Sequence, residues 1–292
     1  MDGPVHVVPP SARRARPGRT QAASPPRAAA SRPGRPDHRI VRVGGPTPAS
    51  PRFPRRDRTN GDDPVTEPQV LLWWADSELA VAGRLDALTD DDLAAPSGLP
   101  GWSRAHVVAH LARNADALVN LLTWARTGVE TPMYPSREAR DAGIAATAEE
   151  LPEELRADYA AACARLAVAI ETMPASAWTA EVRNMQGRTV PATDVPWLRA
   201  KEMWVHGVDL RAGLSFDDLP PAFCVALVDE VLGLFAGRGE APDVTIVAID
   251  VDRTWGSGTA RVEGPVTAVA AWLTRADASG LTGEVPAPPA WL

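Results

Sequence analysis

The sequence predicts an α+β fold, a four-helix bundle followed by a small α/β layer, and three observations carry the prediction. Apolar residues recur at steps of three and four through four long segments between residues 68 and 213. The pattern then changes to helix, strand, strand and helix over residues 214–292. Residues 1–64 stand apart from both in composition. The expected organisation is therefore a tail (1–64), a bundle (65–213) and a small α/β domain (214–292).

The first helix spans about 68–90, with Leu71, Trp74, Val81, Leu85 and Leu88 on one face. "SGLPGW" breaks the chain, and Ser103 is placed to cap the next helix. That helix aligns Val107, His110, Asn114, Leu118, Leu121 and Ala125 on one stripe and ends at Gly128. "VETPMYPSREARDAG" reads as a connecting loop with a short helical turn. A third helix runs over 150–172, carrying Leu151, Leu155, Tyr159, Cys163, Leu166 and Ile170 in register. Residues 174–193 make a connection long enough to suggest a function, with a hairpin turning at Gln186-Gly187. Pro196 suits the first turn of the fourth helix, which Gly213 closes. After it, "PAFCVALVDEVLGLF" is a helix, "DVTIVAIDV" and "GTARVEG" are strands, and "PVTAVAAWLTRA" is a last helix. Gly256-Ser257-Gly258 lacks the strand–loop–helix context of a phosphate loop.

Charge is unevenly distributed. Residues 1–65 hold 13 Arg, 5 acidic residues and 13 of the 29 prolines, a formal +8, which leaves −15 on the remainder. So few apolar groups cannot offset the entropy of ordering such a segment, so a disordered tail, or translated sequence upstream of a start near Val65, is expected there. An acidic folded part argues against a nucleic-acid partner, and no run of 18 apolar residues predicts a membrane span. Cys163 and Cys224, the two cysteines, sit in apolar helical patterns and read as small buried hydrophobes. That usage fits a reducing cytoplasm, and a monomer is expected.

The chemistry concentrates in "QGRTVPATDVPWLRAKEMWVHGVDL", which sets Glu202 four residues before His206. Residues four apart share a helix face, so a carboxylate oxygen and an imidazole nitrogen can meet one ion there. Zinc takes such ligands, and a catalytic site uses three of them with one position open. Of the five histidines, His106 and His110 are the others outside the tail, and His110 lies on the inward stripe. The spacing also suits an ion pair, and an inward histidine also suits a hydrogen-bonded core, so spacing leaves the matter open.

Three stretches carry a resemblance: "LPGWSRAHVVAHLARNADALVNLLTWARTGVETPMYPS", "QGRTVPATDVPWLRAKEMWVHGVDL" and "TGEVPAPPAWL". Together they resemble the mycothiol-dependent maleylpyruvate isomerases, over essentially everything from residue 66 onward. The resemblance implies a DinB-like four-helix metal domain followed by a small α/β domain. It implies zinc held by His110, Glu202 and His206, and mycothiol as the thiol cofactor. It also implies a functional arginine after the last helix. Arg275 is the nearest match, although the glycine that precedes it in the family pattern is absent here.

The implied reaction turns maleylpyruvate into fumarylpyruvate, in gentisate breakdown, by reversible thiolate addition. Arg275 is expected to grip a substrate carboxylate, and Arg188, in the long connection, is a second candidate for substrate binding. Asp209 is placed to accept from an imidazole N–H. A mycothiol S-transferase acting on electrophilic small molecules would use the same zinc and thiol. A zinc-binding regulator without enzymatic activity is the alternative from another class.

Overall fold

The computed structural model describes residues 67–291. The expectation of a disordered tail over 1–64 lies outside the described residues. Eight α-helices and six short strands are present among those described.

Four long helices form the bundle: α1 (Glu67–Ala87), α3 (Arg104–Thr127), α5 (Pro152–Glu171) and α6 (Val195–Asp209). α3 packs on α5 and α6, and α6 packs on α1. α3 begins and ends where its sequence signals it. The Ser103 hydroxyl accepts from the His106 backbone N–H, and the Gly128 N–H (φ 72°) closes the last turn on the Trp124 carbonyl. α6 stops earlier than Gly213: the Arg211 N–H bonds to the Val208 carbonyl three residues back, and Arg211 itself takes a left-handed φ of 50°. Gly213 (φ 85°) lies in the loop beyond it.

Two helices depart from the sequence reading. α1 stops at Ala87, and Thr89 starts the five-residue α2 (Asp90–Ala94) with a capping box to Asp92. The segment read as a connecting loop with a short helical turn contains a longer helix, α4 (Arg137–Ala148), whose first turn is capped by the Ser136 hydroxyl. Only Ile144 and Thr147 of α4 are buried, so the helix has too thin an apolar stripe to register as periodicity. The long connection does form a hairpin, β1 (Glu181–Arg183) against β2 (Thr189–Pro191).

The C-terminal layer places α7 (Pro221–Gly237) and α8 (Val266–Arg275) with a four-stranded sheet of order β4-β3-β5-β6. β3 (Val244–Ala248) and β5 (Ala260–Gly264) are the two strands expected, paired in parallel. β4 (Arg253–Trp255) and β6 (Thr282–Gly283) add antiparallel edges too short to be read from sequence. At Gly283 (φ 98°) a Cβ would stand 2.0 Å from the Arg261 carbonyl oxygen, so the close pairing of β6 requires glycine.

Two hydrophobic cores result, and α6 belongs to both. Val195, Met203 and Leu210 face the bundle core. Ala200, Trp204 and Val205 face the core of the C-terminal layer, together with Trp73 of α1. Trp73 and Trp197 both pack on Phe223 of α7, with ring centroids 5.7 and 5.3 Å away.

Inside the bundle one charge is wholly buried. The Arg199 guanidinium donates to Glu78 of α1 (2.8 Å), to the Leu111 carbonyl and Asn114 Oδ1 of α3 (2.7 and 3.0 Å), and to Cys163 Sγ of α5 (3.2 Å). One side chain thus joins all four bundle helices. Arg199→Met should lower unfolding free energy by about 3 kcal/mol, because Glu78 and two α3 acceptors lose their donor. Adding Glu78→Leu should recover part of that loss. Chemical denaturation of the single and double variants checks both outcomes.

Candidate metal centre

α3 and α6 cross so that one residue of α3 meets two of α6. His110 Nε2 lies 2.9 Å from Glu202 Oε2, and His206 Nε2 lies 3.2 Å from the same oxygen. The imidazole rings stand edge to face, 4.6 Å apart at 87°. One ligand atom from each residue lies within 4.8 Å of the other two, and no other group of three such residues occurs among those described. Donors about 2.0–2.1 Å from a tetrahedral zinc sit about 3.3 Å from each other. The spacing of His110, Glu202 and His206 fits that geometry, and their nitrogen and oxygen donors suit zinc.

Local sequence explains the convergence. Glu202 and His206 are one turn apart on α6, and Arg199, one turn earlier, is bonded to the carbonyl next to His110. At the other end of the crossing, Arg104 of α3 donates to the Leu210 and Arg211 carbonyls that follow α6 (2.8 and 2.9 Å). The register of the two helices is therefore fixed on both sides of the site.

The environment polarises these groups. Burial works against the Glu202 charge, but hydrogen bonds from His110 and His206 outweigh it and hold the carboxyl well below its usual range. Burial pushes the His110 imidazole down to about 4, against the pull of Glu202. His206 is also penalised by burial, yet its bonds to Asp209 and Glu202 keep it above the ordinary histidine value. His110 is therefore neutral at pH 7, as a metal ligand must be. Trp102 stands edge-on to it at 5.7 Å between ring centroids.

Behind His206 the chain of contacts continues. His206 Nδ1 lies 2.8 Å from Asp209 Oδ2. Asp209 is buried, and Arg275 of α8 donates to both its oxygens, Nε to Oδ1 at 2.8 Å and Nη2 to Oδ2 at 2.6 Å. Arg275 Nη1 donates to the Thr274 carbonyl at 2.7 Å, and the guanidinium lies 5.6 Å from the Trp291 ring centroid. Gly98 fits against Asp209 as well, where a Cβ would come within 3.1 Å of its Cα.

The remaining residues singled out in the sequence are elsewhere or otherwise employed. Every guanidinium nitrogen of Arg275 has a protein partner, so its contacts describe a counter-ion of the buried Asp209 rather than a free grip for substrate. Arg188 is exposed near the tip of the hairpin, where its backbone N–H donates to Asn184 Oδ1 (2.9 Å). Asn114 serves Arg199, and His106 completes the cap of α3, its Nδ1 lying 2.8 Å from Ser103 Oγ. Arg140 and Tyr134 went unnoticed in the sequence. Arg140 Nη2 approaches His110 Nδ1 to 3.4 Å, from α4, in the segment read as a loop.

The chain matches the family model described as the mycothiol maleylpyruvate isomerase N-terminal domain over residues 74–211, the span that contains all three candidate ligands. Its fold is similar to the crystal structure of the mycothiol-dependent maleylpyruvate isomerase, with a TM-score of 0.74 and 33% identity, covering 77% of this chain and 97% of that one. A mutant of that enzyme gives the same figures. No curated protein matches the chain significantly. At that identity and coverage, this chain belongs to the mycothiol-dependent maleylpyruvate isomerase family.

Proposed function

We propose that the protein is a zinc- and mycothiol-dependent isomerase that converts maleylpyruvate to fumarylpyruvate in the breakdown of gentisate. The observation that carries this reading is the convergence of His110 Nε2, His206 Nε2 and Glu202 Oε2 on one point, in a chain of this family. Three ligands leave a fourth position of a tetrahedral ion open for chemistry.

Bound there, zinc would stabilise a thiolate at neutral pH, as it acidifies bound water. The thiol supplies a nucleophile whose reversible addition makes the double bond transiently single, free to turn. The chain's own residues prepare the site. His110 and His206 present their Nε2 atoms, and Glu202 presents Oε2 as a carboxylate. Asp209 takes the Nδ1–H of His206, which fixes the ring and keeps Nε2 as the ligating nitrogen. Arg275 holds Asp209 ionised and in place, and is thus a positioning residue that acts through Asp209 and His206. Trp102 covers one side of His110 with apolar surface.

The nucleophile has to come from outside the protein. Burial pushes the Cys163 thiol up to about 11, and its sulfur lies 3.2 Å from Arg199 Nη2 inside the bundle. Burial likewise pushes Cys224 up to about 12, within the C-terminal core. Neither supplies a thiolate at neutral pH. Two unpaired cysteines suit the reducing cytoplasm, where a low-molecular-weight thiol stays reduced, and no described helix is long and apolar enough to cross a membrane. The partners are then the small-molecule substrate and the thiol, acting on a monomer.

Zinc-loaded protein should isomerise maleylpyruvate only when mycothiol is added, with no net loss of thiol over many turnovers. Spectrophotometric turnover combined with thiol titration tests this, and consumption of thiol would identify an S-transferase instead. Glu202→Gln should abolish stoichiometric zinc while leaving the helical circular dichroism unchanged, because the bundle is held by Arg199 and its apolar core. Asp209→Asn should weaken zinc binding by about 10–100-fold, measured by competition with a chromogenic chelator.

A further inference from the structure

We propose that Arg140, together with the Tyr134 hydroxyl, forms the carboxylate-binding subsite of this centre and takes one terminal carboxylate of a small dicarboxylate substrate. The inference rests on the function proposed above, whose substrate carries a carboxylate at each end.

The cations around the site narrow the choice. Arg275 is bonded through all three nitrogens to Asp209 and a carbonyl. Arg199 is fully buried and shared among the four bundle helices. Arg104 is occupied by two carbonyls and Asp92. Arg188 is exposed in the hairpin. Arg140 differs from these in two respects: it touches a candidate ligand directly, and its commitments are weak.

Its Nη1 pairs with Asp141 Oδ1 at 2.7 Å, but Asp141 is the next residue in the chain and its side chain is 59% exposed. A surface pair of that kind contributes about 0–1 kcal/mol. Its Nη2 lies 3.4 Å from His110 Nδ1, a long contact. Once an ion takes the place of the Nε2–H bond to Glu202, a neutral His110 imidazole carries its proton on Nδ1. A guanidinium has donors only, so in that state Arg140 has no bond to give His110 and its fork is available.

Tyr134 stands beside it. Its phenol is pushed up to about 12 by burial, against a hydrogen bond with Arg140, and it also senses the Glu202 charge. A phenol at neutral pH keeps its proton and can donate it. A planar fork and a phenolic O–H next to the ligand cluster are a donor set that matches a carboxylate, whose bidentate pairing with arginine is stronger than a neutral hydrogen bond. The half-buried position of Arg140 makes that pairing stronger than it would be in open water.

Maleate, a stable dicarboxylate, is the probe. Calorimetric titration of maleate into zinc-loaded full-length protein should show binding that Arg140→Met weakens at least about tenfold. Zinc stoichiometry should stay unchanged, Arg140→Lys should retain part of the affinity, and Tyr134→Phe should lose a smaller factor. In turnover, Arg140→Met should raise KM for maleylpyruvate by a similar factor and change kcat much less. Equal maleate affinity in wild type and Arg140→Met, or no maleate binding by wild type, overturns the subsite. So does loss of zinc from both Arg140→Met and Arg140→Lys, which would make Arg140 a support for His110. If wild type fails to isomerise maleylpyruvate yet binds maleate in an Arg140-dependent way, the isomerase reading falls and the subsite stands. Should Arg140→Met misfold, Arg140→Lys and Tyr134→Phe carry the same comparison.

Discussion

The whole site depends on one buried cation. Arg199 sits in the middle of the bundle, with contacts to α1, α3 and α5, and it occupies α6 one turn ahead of Glu202. Its acceptors on α3 are the residue after His110 and the residue one turn beyond. A guanidinium buried without these partners would be very costly, so the bundle closes only in the register that satisfies it. In that register His110 is brought against Glu202. Arg104 imposes the same register from the far end of α6 by binding the Leu210 and Arg211 carbonyls that follow it. Placing the candidate ligands is thus a by-product of satisfying two arginines.

Polar order continues outward from the candidate ligands. Glu202 accepts from two imidazoles, His206 is held by Asp209, and Asp209 is paired with Arg275. Donors and acceptors alternate along a chain that starts in the bundle and ends on α8. The buried Asp209 carboxylate would destabilise the fold if left alone at its depth, and Arg275 compensates it. This also explains why the His206 ring has a defined orientation before any ion arrives, since its Nδ1 is already engaged.

The sequence revealed the four bundle helices, both ends of α3, the hairpin and the two principal strands, because periodicity, Ser103, Gly128 and Gln186-Gly187 are local signals. α4 read as only a short helical turn because Ile144 is its one buried apolar residue, and Arg140 was missed with it. β4 and β6 are too short to carry a pattern. His110, Glu202 and His206 were legible only in part. A four-residue spacing puts Glu202 near His206, but that His110 faces them is a fact of helix crossing, which a single chain read residue by residue does not encode. The pairing of Arg275 with Asp209, across 66 residues of sequence, left no local trace at all. It is fixed by where α8 docks.

That docking makes α6 a helix with no solvent-facing side to spare: bundle core on one flank, the aromatic cluster of Trp73, Trp204 and Phe223 on the other. The protein is consequently a poor donor for modular engineering. A cut after the bundle would strip the apolar cover from two tryptophans and leave Asp209 as a buried anion without its cation. A C-terminal layer borrowed from a relative would have to deliver an arginine to the same point, or the borrowed half would disturb a candidate metal ligand, His206, that it never touches. Selection on the two halves of such a chain is thereby coupled, and a change at Arg275, the last residue of α8, is felt at a histidine in the bundle.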